Sequence, residues 1–355
     1  DVIASGWVAQ GPRTAAFEHA LAARVVAAHG VATTSGTAAL HLAMVVLGLG
    51  PGDEVIVPSL SYIATANAPR YVGASPVFAD VDPATQNLSP ATIEAVRTPA
   101  TRAVILVHQA GVPADIDAVR RLCDPLGIAV VEDAACALGA VYDGRPIGGH
   151  SDLVIFSFHP RKVITTGEGG MVMTTRADWA DRLRLLRDHG ASISAWARAD
   201  GHAPVEQYVE FGFNYRLSDL LAAVGLVQVG RLDDIVTRRR ELAQTYQDAL
   251  RGRAGLQVVA DPPWGSANYQ SFWVVLPDDS PIDRDDLLGR LLERGVVARR
   301  GIMAAHLEPT FAGHAHTALP ITEHMTRQSF LLPLYHEMTT AEQARVIDAL
   351  CAELP

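Results

Sequence analysis

The stretch FSFHPRKVITTGEGG, residues 156–170, sets Lys162 between an apolar run and a glycine-rich turn. A lysine held near apolar walls loses its proton more readily and forms a Schiff base with an aldehyde. Arg161, its neighbour, stays charged at neutral pH and can do neither that nor shuttle a proton. Taken alone, Lys162 reads as a surface lysine, so the rest of the chain has to decide.

Asp133 ends the run IAVVED. A carboxylate at the tip of a central strand is costly to bury unpaired. It suits a protonated pyridine nitrogen, whose charge lets the ring accept electrons from a carbanion; it also suits a plain helix cap. TTSGTAALHLA, residues 33–43, sets Gly36 and Thr37 at a helix start, where free N–H groups cradle phosphate. Simple capping by Ser35 or Thr37 is the plainer reading. Ser157 adds a hydroxyl, and Tyr62 in PSLSYIATANA offers either a face for a flat ring or a core tyrosine. One cofactor asks for phosphate, ring cation, ring face and imine together: pyridoxal 5′-phosphate (PLP).

Strand tips must carry these residues. Apolar, β-branched runs at 54–58, 75–80, 103–108, 128–133, 153–158 and 169–174 alternate with helical patterns at 37–48, 90–97, 114–126 and 177–188. Most runs are apolar throughout, as in strands covered on both faces. The expected fold is α/β, a mostly parallel sheet between helices, with ligands at the carboxyl ends of its strands. A helical stretch over 217–251 leads into a C-terminal part with SFWVVLP (271–277) and a last helix at 340–352. This predicts a large domain over 1–235 and a smaller one over 236–355.

Composition excludes other classes. With 49% hydrophobic and 19% charged residues the chain is a folded globule rather than a disordered one. A net charge of −10 without a basic block argues against nucleic acid and anionic membrane. No apolar run approaches the ~20 residues of a membrane helix. The three cysteines, Cys123, Cys136 and Cys351, form no CxxC pair, which argues against zinc or a disulfide framework and suits the cytoplasm. No metal is expected. A dinucleotide site would need G-x-G-x-x-G after a first strand, and GLGPGD (48–53) follows a helix instead.

The chain resembles the DegT/DnrJ/EryC1/StrS family of fold-type I PLP-dependent sugar aminotransferases. The likeness runs nearly end to end, through SGWVAQGPRTAAFE, TTSGTAALHLA, VVEDAACALGA, FSFHPRKVITTGEGGMV, FGFNYRLSDLLAAVGLVQ and LPLYHEMT. The resemblance implies that Lys162 is the Schiff-base lysine and that Asp133 pairs with the pyridine nitrogen. Gly36, Thr37 and Ser157 would hold the phosphate, and Tyr62 would take one ring face. Asn214 would reach the cofactor of a neighbouring subunit, so a homodimer with shared active sites is expected. A branch of the family that dehydrates sugars has His for the lysine, so Lys162 favours transamination.

Two departures stand out. Cys136 occupies a position, on the other ring face, where relatives carry Gln or His, and the usual VHLYG reads VHQAG, so that Ala110 replaces an aromatic. Candidate substrate residues are His159, Arg216, Arg300 and His306, with Arg13 and Arg299 as similar cations for a diphosphate or a carboxylate. The expected reaction moves an amino group from an amino acid, glutamate first, to a keto-sugar, most readily a nucleotide-linked one. A keto-cyclitol or other secondary-metabolite ketone is the alternative acceptor. A PLP-binding regulator without turnover is the alternative of another class.

Overall fold

The computed structural model describes residues 1–199, 205–253 and 255–354. Its centre is a seven-stranded sheet. In chain order the strands are β1 (His29–Thr33), β2 (Glu54–Pro58), β3 (Ser75–Ala79), β4 (Thr101–Val107), β5 (Ala129–Asp133), β6 (Leu153–Ser157) and β7 (Gly170–Thr174). In space they lie β1-β7-β6-β5-β4-β2-β3. β7 runs antiparallel to both its neighbours, β1 and β6, whereas β3, β2, β4, β5 and β6 are successively parallel. The carboxyl ends of all strands but β7 therefore face one way, and β7 begins at that same edge, with Gly170 opposite both Thr33 and Ser157.

The apolar runs read from the sequence are these strands, and their side chains sort by parity. Ile56, Val104, Leu106, Val154 and Phe156 enter one core; Val55, Val57, Ile105, Leu153 and Ile155 enter another across the sheet. Period-2 alternation with both sets buried requires helices on both faces. Each such side chain contributes about 1.5–3 kcal/mol on full burial. Helices α1 (Pro12–Arg24), α2 (Gly36–Val46), α3 (Ile63–Tyr71), α4 (Ile116–Cys123) and α5 (Ala177–Arg187) supply the cover. The sequence reading had neither α1 nor α3.

Helix α6 (Asp219–Leu250) is 32 residues long, roughly 48 Å at 1.5 Å per residue. Ser218 caps it by accepting from the Leu221 N–H. Leu232, Ile235 and Val236 belong to the large core, whereas Leu242, Ala243, Tyr246 and Leu250 belong to a third. That third core packs behind a four-stranded antiparallel sheet of β8 (Gln257–Val258), β9 (Phe272–Val275), β10 (Arg299–Arg300) and β11 (Ser329–Leu332), ordered β8-β9-β11-β10. Residue 235 thus lies inside an unbroken helix that serves both cores. No helix among the described residues is long and apolar enough to cross a membrane.

Candidate active site

The shared edge gathers the tips of β1, β2, β4, β5 and β6. After β1 the chain turns directly into α2. Ser35 caps that helix, its Oγ accepting from the Ala38 N–H at 3.1 Å. The N–H groups of Gly36 and Thr37, in the first helical turn, have no intrahelical partner. A Cβ on Gly36 would stand 2.9 Å from Ser157 Cβ, and one on Gly170 would stand 2.4 Å from the Ser35 carbonyl carbon. Glycine at both positions lets the helix start, the β6 tip and the β7 start close into one cradle with Ser157 at its rim. A cavity of about 410 Å³ opens beside it, lined by Ser35, Thr37, His41, Tyr71 and Tyr215 among others.

Asp133, at the β5 tip, is buried, 5% exposed. Its Oδ1 accepts from the Ala135 N–H at 3.1 Å and its Oδ2 from Thr65 Oγ1 at 3.1 Å. Thr65 spends its one hydroxyl proton there, so it accepts from Ser61 Oγ, 2.9 Å away. Burial pushes the Asp133 carboxyl above the usual carboxylate range; the Ala135 N–H, Lys162 and Thr65 oppose this without overcoming it. It makes no ion pair among the described residues. Beneath it His108 is fully buried. The Ala114 N–H donates to His108 Nδ1 at 3.0 Å, which assigns the proton to Nε2 for donation to Glu132 Oε2 at 3.1 Å.

Lys162 stands on a turn closed by its own N–H to the His159 carbonyl at 2.9 Å. Its Nζ donates to Cys136 Sγ at 3.1 Å. Burial alone would lower its pKa, but Cys136 and Asp133, with Tyr62 adding less, outweigh burial and hold the ammonium above its ordinary value. The first expectation for this lysine, a depressed pKa, does not hold for the cofactor-free site. Tyr62 caps α3 and is 70% exposed, so in this chain it is not a core tyrosine.

The candidate substrate residues scatter. His159 is half-buried; its Nδ1 accepts from the Arg161 N–H at 3.2 Å, which orders the turn. Arg216 is ion-paired to Asp188 at 2.5 Å. His306 packs at the β2 tip. It is buried, with Nδ1 2.6 Å from Ser59 Oγ, and the Ala305 N–H donates to the Ser59 carbonyl at 2.7 Å. Burial, then His316, lower its pKa. Glu323, 3.7 Å from Nε2, opposes that lowering, and through Ser59 the ring clamps the β2 tip. Arg13, Arg299 and Arg300 are exposed, and Arg300 makes no ion pair among the described residues. Asn214 is exposed on the chain leading into α6.

The sequence reading missed Thr65, Asn268 and Gln270, whereas His108 and Glu132 stood among the polar strand ends expected to converge on one crevice. SYIAT carried a signal for the first, since Ser61 and Thr65 are one helical turn apart. Asn268 and Gln270 touch each other, but their partners at Cys136, Leu138 and Arg161 lie more than 100 positions away. Together the site offers backbone donors and a hydroxyl for phosphate, a buried carboxyl without a direct ion pair among the described residues, and an amine. These residues fit a group that carries a phosphate, a protonatable ring nitrogen and an aldehyde. Among the described residues no cluster suits a metal ion.

The model of the DegT/DnrJ/EryC1/StrS aminotransferase family matches residues 1–351. Three solved proteins are similar over nearly the whole chain. DesV of S. venezuelae, in complex with a ketimine intermediate, is 37% identical, over 98% of this chain and 91% of that one, with a TM-score of 0.91. DesI, in the presence of its TDP-sugar product, is 34% identical, over 98% of this chain and 86% of that one, with a TM-score of 0.88. Spr1654 of Streptococcus pneumoniae in its PMP form is 26% identical, over 99% of this chain and 94% of that one, with a TM-score of 0.93; a PLP form is also known.

Proposed function

The chain belongs to the DegT/DnrJ/EryC1/StrS aminotransferase family, and from that premise we propose that it moves an amino group from glutamate to a nucleotide-linked keto-sugar. It is a PLP-dependent aminotransferase of mixed α/β fold. When bound, PLP supplies an electron-accepting ring that stabilises the carbanion left when a proton leaves the donor's Cα. The observation that carries the residue assignment is the meeting of the buried Asp133 carboxyl, bonded to the Ala135 N–H and Thr65, with the amine of Lys162 at one sheet edge.

In this reading Gly36, Thr37 and Ser157 hold the phosphate, Asp133 keeps the ring nitrogen protonated, and Tyr62 and Cys136 flank the ring. Lys162 Nζ, once free, takes the Cα proton as general base and returns it as general acid. Gly36→Ala is expected to weaken PLP binding by tenfold or more, about 1.4 kcal/mol, because its Cβ pushes the helix start off Ser157. Titration of cofactor-free protein with PLP measures this; wild-type affinity would remove the cradle from the site.

A second copy of the chain completes the site. Leu220, Val224 and Val227 form an exposed stripe on α6, and Val205, Tyr208, Val209 and Phe211, the last 83% exposed, lie close to Asn214 in sequence. An apolar face of this kind asks for a partner, and a homodimer would bring Asn214 of one copy toward the phosphate of the other. The nucleotide linkage draws support from DesI, solved with a TDP-sugar product, and from the exposed Arg300.

The test loads the protein with PLP, adds L-glutamate, and offers nucleotide-linked keto-sugars and free keto-cyclitols. Amino product from the former, read by mass, is the expected result. Product from the cyclitols alone would shift the acceptor class. A spectral change with glutamate but no transfer to any ketone would favour a regulator without turnover.

A further inference from the structure

Residues 267–271 join the small sheet to the lysine turn. Asn268 is fully buried, and its Nδ2 donates to the Cys136 carbonyl at 2.9 Å and the Leu138 carbonyl at 2.8 Å. Its Oδ1 accepts from the Gln270 N–H at 2.8 Å. The Gln270 side chain then donates to the Arg161 carbonyl, immediately before Lys162. The Ser271 N–H reaches the Ala110 carbonyl at 3.3 Å. Gly111 admits the segment, since a Cβ there would stand 1.8 Å from Asn268 Oδ1.

Two arginines of α6 hold this segment from behind. Arg239 Nε donates to the Tyr269 carbonyl at 2.9 Å, and its Nη2 to the carbonyls of Gln270 at 2.8 Å and Leu334 at 3.2 Å. Arg240 Nε donates to the Ala267 carbonyl at 2.9 Å and its Nη2 to Gly139 at 3.3 Å. Arg239 is only 6% exposed and meets carbonyls rather than a carboxylate; burial pushes its pKa down to about 10. Tyr269 sits at φ 50°, a left-handed conformation unfavourable for a bulky side chain. A buried cation and a strained tyrosine persist only where surrounding contacts over-determine them.

We propose that residues 268–270 form a brace that fixes the Lys162 turn against Cys136, with Gln270 and Arg239 as positioning residues for the amino-transfer step. The brace grips the carbonyls of Arg161 and Cys136, the two chain segments whose side chains meet in the 3.1 Å Lys162–Cys136 contact. Freed from it, the lysine turn keeps its internal bonds to His159 and Phe158 but loses the Gln270 tie to the small sheet. This rests on Lys162 being the cofactor lysine.

The test is Gln270→Leu in the full chain, which keeps side-chain size and removes the donor. Cofactor-free protein is mixed with PLP and quenched with borohydride at intervals, and attachment at Lys162 is read by peptide mass. PLP-loaded protein is mixed with saturating L-glutamate, and the rate per loaded site is followed by absorbance. Both rates are expected to fall threefold to tenfold, the worth of about one hydrogen bond, with the half-saturating glutamate concentration unchanged. Gln270→Glu, which is isosteric and offers no amide donor, repeats the measurement if the leucine variant does not fold. A variant that loads less PLP yet keeps wild-type rates per loaded site overturns the brace, as do wild-type rates throughout. Lys162→Ala is run alongside: if attachment and turnover survive in it, the underlying assignment of Lys162 fails instead.

Discussion

Lys162→Ala is expected to abolish amino transfer and all covalent capture of PLP. Two functions go at once. The amine that attaches the cofactor is lost, and so is the base that moves the Cα proton, a role worth ~10²–10⁴ in rate by itself. Non-covalent PLP binding should survive, because the Gly36–Ser157 cradle and Asp133 are untouched. Lys162→Arg should fail as completely, since a guanidinium neither attacks an aldehyde nor gives up its proton near neutrality. The wild-type profile has a definite sign. Cys136 and Asp133 hold the Lys162 ammonium above its ordinary value in the cofactor-free chain, and only the neutral amine attacks, so capture should quicken as pH rises. Borohydride trapping with peptide mapping measures both effects. Lys162 is the only lysine of the chain, so amino transfer that persists in Lys162→Ala, or wild-type trapping that misses Lys162, would end the assignment.

Why Lys162 and Asp133 were legible in the sequence and their supports were not follows from how the fold is built. Parallel strands covered on both faces read as unbroken apolar runs, so a polar residue at such a tip stands out, as Asp133 and Ser157 do, whereas the start of α2 was read from small hydroxyl residues and Gly36 before a helical pattern. β1 opens with His29 and Gly30, and α3 carries Pro69 and many small residues, so neither shows a strong period. α3 is held in place by burying its own small residues, Ala64, Ala66 and Ala68, in the core beneath it. Contacts that join distant segments leave no local trace: Thr65 meets Asp133 across 68 positions and Asn268 meets Cys136 across 132. Charge misled in the middle of α6. Arg231 to Arg240 reads as a solvated connector, as runs of arginine usually are, but Arg239 is buried among carbonyls where two cores meet. Nothing in ARRGIMAAH reveals that Ser59, 247 residues earlier, meets the ring nitrogen of His306.

Asp133→Asn is expected to separate activity from stability, with opposite signs. An amide cannot hold a proton on the ring nitrogen by charge, so the bound ring becomes a poorer electron acceptor. Removal of one preorganised electrostatic partner costs about 10²–10³ in kcat, and single-turnover rates with glutamate should show a loss of that order while some PLP still binds. The cofactor-free chain should become more stable. Burial raises the Asp133 pKa in the fold above its unfolded value near 3.9. Between those two values the unfolded chain has released the proton and the folded chain retains it, so ∂ΔG/∂pH is negative and stability falls as pH rises through that window. The asparagine variant has no such proton to lose. Its melting temperature without cofactor should exceed wild type at neutral pH, by about 1 °C per kcal/mol relieved in a chain of this length. The gap should close at pH values below the ordinary aspartate range. Saturating PLP should narrow or reverse it, because a ring cation supplies the missing countercharge to the wild-type carboxylate alone. Equal melting temperatures at neutral pH without cofactor, or near-normal turnover, would remove Asp133 from this role.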